Sequence, residues 1–485
     1  MTSDKTSRAP SLPRVPTGIA GLDEVIGGGL LKSGVYMVQG SPGAGKTILA
    51  NQIGFNLAAA GERVVYITML AESHARLMQH MGSFSFFDES LVPENVYYVS
   101  AFNALRDAGL PGVVNLLRGE MRTHKARLLV LDGLVIAAQA AASEESLKLF
   151  ISDIQAHSTL TGCTTLLLAS DDADRPVSPE QTMVDGIVLL RECALGPRRE
   201  RRIDVVKFRG SNTLRGTHSF RIGPNGITVY PRLESARRDS PHTAIKGRGL
   251  STGIDGLDRM FDIGGLAEAS VTAVSGYSGS GKTSLALHFL SRSSVQEPGL
   301  YFGFYESPEF LLQISQMLGH DLQPLVDAGV VHFVWQPFGE NLLDELAARL
   351  LEAIRQTGAR RVVVDSLGGF AAATAYQTRD GSFLASLSNE LRRSGATSLI
   401  TVEETDAEHS SFPINTPTMS ALCDNIIRLA VQVEHSVQHR MWIGKARNSR
   451  CDQRVRELVL TSTGLEVKDT AASVGATHAE GGTDA

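Results

Sequence analysis

A Gly, four residues, Gly, Lys, Thr pattern occurs twice in this chain, with the two lysines 236 residues apart. The first copy is GSPGAGKT (Gly40, Ser41, Pro42, Gly43, Ala44, Gly45, Lys46, Thr47). The second is GYSGSGKT (Gly276, Tyr277, Ser278, Gly279, Ser280, Gly281, Lys282, Thr283). Each follows an apolar run, Val35 to Val38 or Val271 to Val274, and precedes a helical stretch. A strand before and a helix after make this pattern a phosphate-binding loop. The glycines let successive N–H groups converge on one concavity, and the helix N-terminus adds its positive end. The lysine then meets the β- and γ-phosphates, and the threonine hydroxyl ligates Mg²⁺.

The repeat extends well beyond the loops. PTGIAGLD starts at Pro16 and STGIDGLD at Ser251. Glu72 and Glu306 lie 234 apart, Asp132 and Asp365 lie 233 apart, and KFRG at Lys207 and KARN at Lys445 lie 238 apart. So steady an offset implies two copies of one domain, each within the usual size of about 100–200 residues or slightly above. The expected layout is a tail over 1–13, a first domain over 14–235, a linker over 236–249, a second domain over 250–468 and a tail over 469–485. The composition shift that marks the linker begins at Pro231 and ends at Gly249. Both tails read as disordered on composition.

Within each copy, short continuous apolar runs such as VVYIT, LLVLD and TTLLLAS alternate with helical stretches. That alternation predicts an α/β fold, a mostly parallel sheet covered by helices. ILANQIGFNLAAAG after Thr47 has helical spacing and a C-terminal glycine stop at Gly61.

Asp132 and Asp365 each end an apolar run, which places them at the carboxyl edge of the sheet as Mg²⁺ holders beside Thr47 and Thr283. Glu72 and Glu306 are expected to end the strand next to the P-loop strand and to activate the attacking water. Glu403 and Glu404 end a later strand, where the first copy has Ser170 and Asp171; these are sensor candidates. The implied cofactors are ATP and Mg²⁺.

Together these motifs resemble the KaiC branch of the RecA-type ATPases, over residues 14 to about 468. The most specific strings are the two TGIxGLD leaders, the Glu-Ser after the second strand, VDGIVLLRE and KFRG. The resemblance implies two tandem RecA-like P-loop domains and a homohexameric double ring with ATP between neighbouring subunits. It implies that Lys207 and Arg209, and Lys445 and Arg447 in the second copy, reach a neighbour's phosphates. Two departures from the family pattern are visible. Only one acid of each catalytic pair remains, in Ala71-Glu72 and Tyr305-Glu306. The phosphoacceptor region reads TPTMSALCDN, leaving Thr418 and Ser420 as the acceptors for serine/threonine autokinase activity. The safer expectation is a KaiC-like ATPase that regulates an unidentified protein partner.

Composition narrows the alternatives. A net charge of −6 argues against nucleic-acid binding driven by total charge. The run RECALGPRRERR, with Arg198, Arg199, Arg201 and Arg202, is the one basic feature a DNA-binding relative would use; it reads better as the exposed tip of a hairpin. No LSGGQ-like signature supports a transporter-type ATPase. No apolar stretch approaches the roughly 18 residues of a membrane span, and no secretory segment opens the chain. Cys163, Cys193, Cys423 and Cys451 lack metal-ligand spacing and read as reduced thiols in a cytoplasmic protein.

Overall fold

Residues in alternate positions along the first-copy strands enter two different cores. Tyr36, Val38, Val64, Tyr66, Leu128, Val130, Leu166 and Leu168 pack with Leu49, Ile53 and Phe55 of the helix after the first P-loop. Their strand neighbours Val35, Met37, Val65, Ile67, Leu129, Leu131 and Leu167 pack with Val113, Leu117, Phe150 and Ile154 from helices Phe102–Thr123 and Glu144–Thr161. A sheet buried on both faces needs strands that are apolar throughout, which is why the period-2 alternation is invisible in the sequence.

The computed structural model describes residues 12–69, 74–170, 179–195, 198–236, 247–404, 422–433, 436–447, 449–461 and 464–469. The chain divides into two compact units, Met1–Arg237 and Arg238–Ala485. The expected tails over 1–13 and 469–485 and the linker over 236–249 fall almost wholly outside the described residues.

The first unit carries a nine-stranded sheet: β1 Val35–Gly40, β2 Val64–Thr68, β3 Val96–Ser100, β4 Leu128–Asp132, β5 Thr164–Ser170, β6 Gly186–Leu195, β7 Arg198–Phe208, β8 Thr217–Gly223 and β9 Gly226–Tyr230. Their order is β3-β2-β4-β5-β1-β6-β7-β8-β9. The strands from β3 to β6 are parallel, and β6 to β9 form an antiparallel run.

The second unit repeats this plan with β10 Val271–Gly276, β11 Gly299–Gly303, β12 Val331–Trp335, β13 Arg361–Asp365, β14 Thr397–Glu403, β15 Asn425–Val433, β16 Val437–Ala446, β17 Arg456–Thr461 and β18 Gly464–Asp469. The order is β12-β11-β13-β14-β10-β15-β16-β17-β18, the same permutation. The P-loop helices are α1 Lys46–Ala59 and α2 Lys282–Ser291. Helix α1 ends at Ala59 with Ala60 as its cap, and Gly61 follows in the left-handed region at φ +83°.

The leader motif is structural. Asp23 accepts from the Thr17 N–H at 2.9 Å and its hydroxyl at 2.8 Å, and Asp258 does the same for Thr252 at 2.7 Å each. Asn56 of α1 donates to the Thr17 carbonyl at 3.0 Å, tying the first leader to the P-loop helix.

The strand order corrects one expectation. The strand before Glu72 or Glu306 is not next to the P-loop strand. β2 lies between β3 and β4, and β11 between β12 and β13; the neighbours of β1 are β5 and β6. Adjacency along the chain does not set adjacency in a doubly covered parallel sheet, where crossovers can skip strands.

The basic run also departs from expectation. β6 and β7 do form a hairpin across 186–208. But Glu200 in its middle is 4% exposed and pairs with Arg198 at 2.9 Å and Arg202 at 3.0 Å. Arg199 pairs with Glu192 at 3.4 Å. The arginines are largely partnered by carboxylates of the same hairpin, so the run is not a simple solvated tip.

Candidate functional site

Each P-loop connects the end of a buried strand to the first turn of a buried helix. Gly43 and Gly45 have φ of +82° and +103°, and Gly279 and Gly281 have +77° and +98°. A side chain is strained in that region, so the four positions require glycine. Gly40 and Gly276 are fixed by space: a Cβ on either would sit 2.5 Å from the carbonyl oxygen of Leu190 or Leu429 on the neighbouring strand. The Lys46 ammonium donates to the Gly40 carbonyl at 2.6 Å and the Ser41 carbonyl at 3.0 Å. Lys282 donates to Gly276 and Tyr277 at 2.8 Å each. Both lysines therefore curl back over their own loop, across the concavity that a phosphate would enter. Burial pushes the Lys282 ammonium below its ordinary range, and Glu403, Asp365 and Glu404 oppose that shift.

The Thr hydroxyl at the second position of each helix faces the Asp at the end of β4 or β13. Thr47 Oγ1 lies 3.4 Å from Asp132 Oδ2, and Thr283 Oγ1 lies 2.9 Å from Asp365 Oδ2. Residues 82 to 85 positions apart are thus brought to hydrogen-bond distance. Sequence reasoning missed a further partner in each copy. Tyr66 donates to Asp132 Oδ2 at 2.7 Å, and Tyr301 to Asp365 Oδ2 at 2.6 Å. In the second unit Thr401 also donates to Asp365 Oδ1. The signal was present: Tyr66 and Tyr301 are 235 apart, inside the repeat offset. Burial, then the neighbouring aspartate, pushes both tyrosine hydroxyls well above their ordinary range, which leaves them protonated donors.

The donor set fits Mg²⁺. Hydroxyl and carboxylate oxygens are the hard ligands this ion takes, and it usually keeps waters and phosphate oxygens for its other positions. Among the described residues no group of three or more His, Cys, Asp or Glu could hold a metal by itself. Thr47 with Asp132, and Thr283 with Asp365, are the residues that would hold the ion.

Glu306 lies three residues beyond the end of β11. Burial first, and Asp365 second, raise its carboxyl above the ordinary range. Glu403 is the last residue of β14 and pairs in register with Gly276 of the P-loop strand. Glu404 donates its N–H to the Gly276 carbonyl at 3.1 Å, and its side chain pairs with Arg428 at 2.6 Å. Ser170 pairs with Gly40 at the matching place in the first unit. Glu72, Asp171, Thr418 and Ser420 lie outside the described residues. A cleft of about 900 Å³ beside Thr47 and Ile48 is lined by Arg76, His80 and Phe84.

Lys207, Arg209, Lys445 and Arg447 are not brought to the P-loop of their own unit. Lys207 sits opposite Ile187, which pairs with Met37, three residues before Gly40. At about 3.3 Å per residue and about 4.8 Å per strand, its backbone is roughly 14 Å from the loop. It donates instead to the carbonyls of Gln181 and Thr182 at 3.1 and 2.7 Å. Arg209 donates to Thr182 at 3.2 Å and lies 3.8 Å from Asp185. Lys445 donates to the Cys423 carbonyl at 2.9 Å, and Arg447 lies 3.6 Å from Asp424. Both pairs occupy the amino edge of the parallel strands, away from the cradles.

The four cysteines are free thiols. Burial pushes Cys163 and Cys423 up to about 12.

Two mostly parallel α/β sheets of RecA-like order, each with a glycine cradle and a Thr–Asp pair at the carboxyl ends of its central strands, define a tandem P-loop ATPase class. The family model described as "ATPase: KaiC" matches residues 15–234 and again 250–472, and the chain belongs to that family. Its curated relatives include the circadian clock oscillator protein KaiC of Prochlorococcus marinus strain MIT 9313, 25% identical over 94% of this chain and 93% of its own length. The protein of that name from Thermostichus vulcanus is 25% identical over 97% and 92%. That of Prochlorococcus marinus strain SARG is 26% identical over 94% and 92%. The clock role is a property of those proteins. No helix among the described residues is long and apolar enough to cross a membrane.

Proposed function

We propose that both units bind ATP with Mg²⁺, that the chain hydrolyses it, and that the nucleotide state of a homohexameric ring is read by a regulatory partner protein. The observation that carries this reading is the duplicated arrangement of glycine cradle, inward-folded lysine and Thr–Asp pair. Backbone N–H groups and the lysine would receive the phosphates, and Thr47 with Asp132, or Thr283 with Asp365, would hold the ion. When bound, Mg²⁺ supplies charge neutralisation on the phosphate oxygens. Glu72 and Glu306 would orient or deprotonate the attacking water.

The placement of Lys207, Arg209, Lys445 and Arg447 supports ring formation. Cations that cannot reach their own cradle can serve a neighbour's, where they stabilise charge on the transferring group. Burial and the adjacent guanidinium push both lysines below their ordinary range. An incoming anion relieves that cost. The partnered arginines of 198–202 weigh against a nucleic-acid surface. Free cysteines suit the reducing cytoplasm.

The test replaces Lys46 and Lys282 with alanine, singly and together, and measures ATP binding and phosphate release. Each single variant should lose the nucleotide of its own unit, and the double variant should lose both binding and turnover. A double variant with parental affinity and turnover would sink the proposal. Running the parent with γ-labelled ATP separates an ATPase from an autokinase: free phosphate supports the first, label retained on the chain the second.

A further inference from the structure

A tyrosine in the middle of a fully buried strand carries a hydroxyl that must be hydrogen-bonded or cost free energy, whereas phenylalanine fills the same space without it. Tyr66 and Tyr301 are each 1% exposed, at the centres of β2 and β11. The sequences around them differ, VVYIT against GLYFG, but the register does not. Tyr66 pairs with Val130 and Tyr301 with Val363, in each case two residues before the aspartate. Two positions along a strand put side chains on the same face, so each hydroxyl meets the carboxylate end-on. The oxygen it meets, Oδ2, is also the one that faces the threonine hydroxyl.

A threonine can offer a lone pair to a cation only while its own proton is directed elsewhere. Asp Oδ2 provides that acceptor, but a carboxylate free to rotate about its last bond would turn its plane and lone pairs away. The buried tyrosine holds that plane in place.

We propose that Tyr66 and Tyr301 are positioning residues for the divalent cation: each pins the carboxylate of Asp132 or Asp365 so that the threonine hydroxyl and the remaining carboxylate lone pairs are presented together. This rests on the nucleotide reading above. In the second unit Thr401 fixes the other oxygen as well. In the first unit the residue at the matching strand position is Leu168, which has no hydroxyl.

The experiment uses the full chain with one cradle silenced. Tyr66→Phe is made with Lys282→Ala, and Tyr301→Phe with Lys46→Ala. The probe is a fluorescent ATP analogue, whose affinity is measured in EDTA and across a Mg²⁺ concentration series. Affinity in EDTA should stay within about twofold of the matching lysine variant. The Mg²⁺ concentration giving half the affinity gain should rise about 10-fold for Tyr66→Phe and for Tyr301→Phe, as for loss of a residue supporting a metal ligand. Tyr98→Phe is the control. Its hydroxyl donates to Asn51 at 2.7 Å and its ring lies 5.4 Å from that of Tyr66, so the same aromatic cluster loses a hydroxyl while the bond to Asp132 stays; the Mg²⁺ midpoint should not move. Unchanged midpoints in both Tyr→Phe variants, or an equal loss of affinity in EDTA and Mg²⁺, would overturn the proposal. Failure of the lysine variants themselves to bind the analogue would instead fail the nucleotide reading.

Discussion

At the scale of single residues, the function proposed for the second site assigns binding and chemistry to different side chains. In the proposed site Lys282 and the glycines would grip phosphate, whereas Glu306 stands past the strand end with a carboxyl raised by burial and by Asp365. A raised carboxyl is suited to exchanging a proton, while contributing little to ground-state grip. In a Lys46→Ala background, Glu306→Gln should therefore lower phosphate release by roughly 100-fold, the low end for losing a general base. Nucleotide affinity should stay within about threefold by equilibrium binding, since no phosphate-gripping group is removed. Turnover within a few-fold of the parent would show that another group does the work. Tyr66 and Tyr301 teach a related lesson: their repeat offset was readable, but a tyrosine among valines and phenylalanines reads as core until its hydroxyl is seen against a carboxylate.

At the scale of elements, helix α2 is tied to the far edge of its sheet by one side chain. His288 is 1% exposed. Its Nε2 accepts the Leu465 N–H at 2.8 Å, so the ring proton sits on Nδ1, 2.8 Å from His320 Nε2. Gly464 makes room, since a Cβ there would sit 2.3 Å from His288 Cε1, and its φ of +113° also calls for glycine. Burial, with His320 and Arg292 adding repulsion, lowers His288 to about 4. The unfolded chain takes up this proton near the ordinary value of about 6.5, and the folded one only near 4. Stability should therefore fall as pH drops from 6.5 to 4, by up to about 3 kcal/mol from this group. His288→Gln keeps an acceptor for Leu465 and removes the titration. It should flatten the pH dependence of thermal unfolding of the second unit; an equally steep dependence in the variant would refute this assignment. Nothing in the sequence singled out this histidine, because its partners lie 32 and 177 positions away.

At the scale of the whole molecule, the proposed sites require more than one chain. Lys207 and Arg209 lie on the amino edge of the sheet whose carboxyl edge holds the first cradle. Two variants, each with the second site silenced by Lys282→Ala, make this testable. One also carries Lys46→Ala, the other Lys207→Ala with Arg209→Ala. Each alone should be nearly inactive. Mixed in the presence of Mg-ATP, they should regain a measurable fraction of turnover, because an intact cradle from one chain can meet intact cations from the other. No gain on mixing, with a mass that stays monomeric by light scattering, would remove the shared site. A hexameric mass that appears only with Mg-ATP would support it.

The sequence by itself determined the two cradles, their duplication and the parallel α/β class. These rest on local chemistry: glycine spacing, an apolar strand before and a helix after, all within about 20 residues. Only the tertiary structure decided that β2 and β11 lie three strands from the P-loop strand, that a tyrosine from each secures the aspartate, and that the KFRG and KARN cations face away from their own cradles. Those contacts depend on strand order and register, which crossovers choose by burying two apolar faces at once. Strands that are apolar throughout carry no mark of which neighbour they will take.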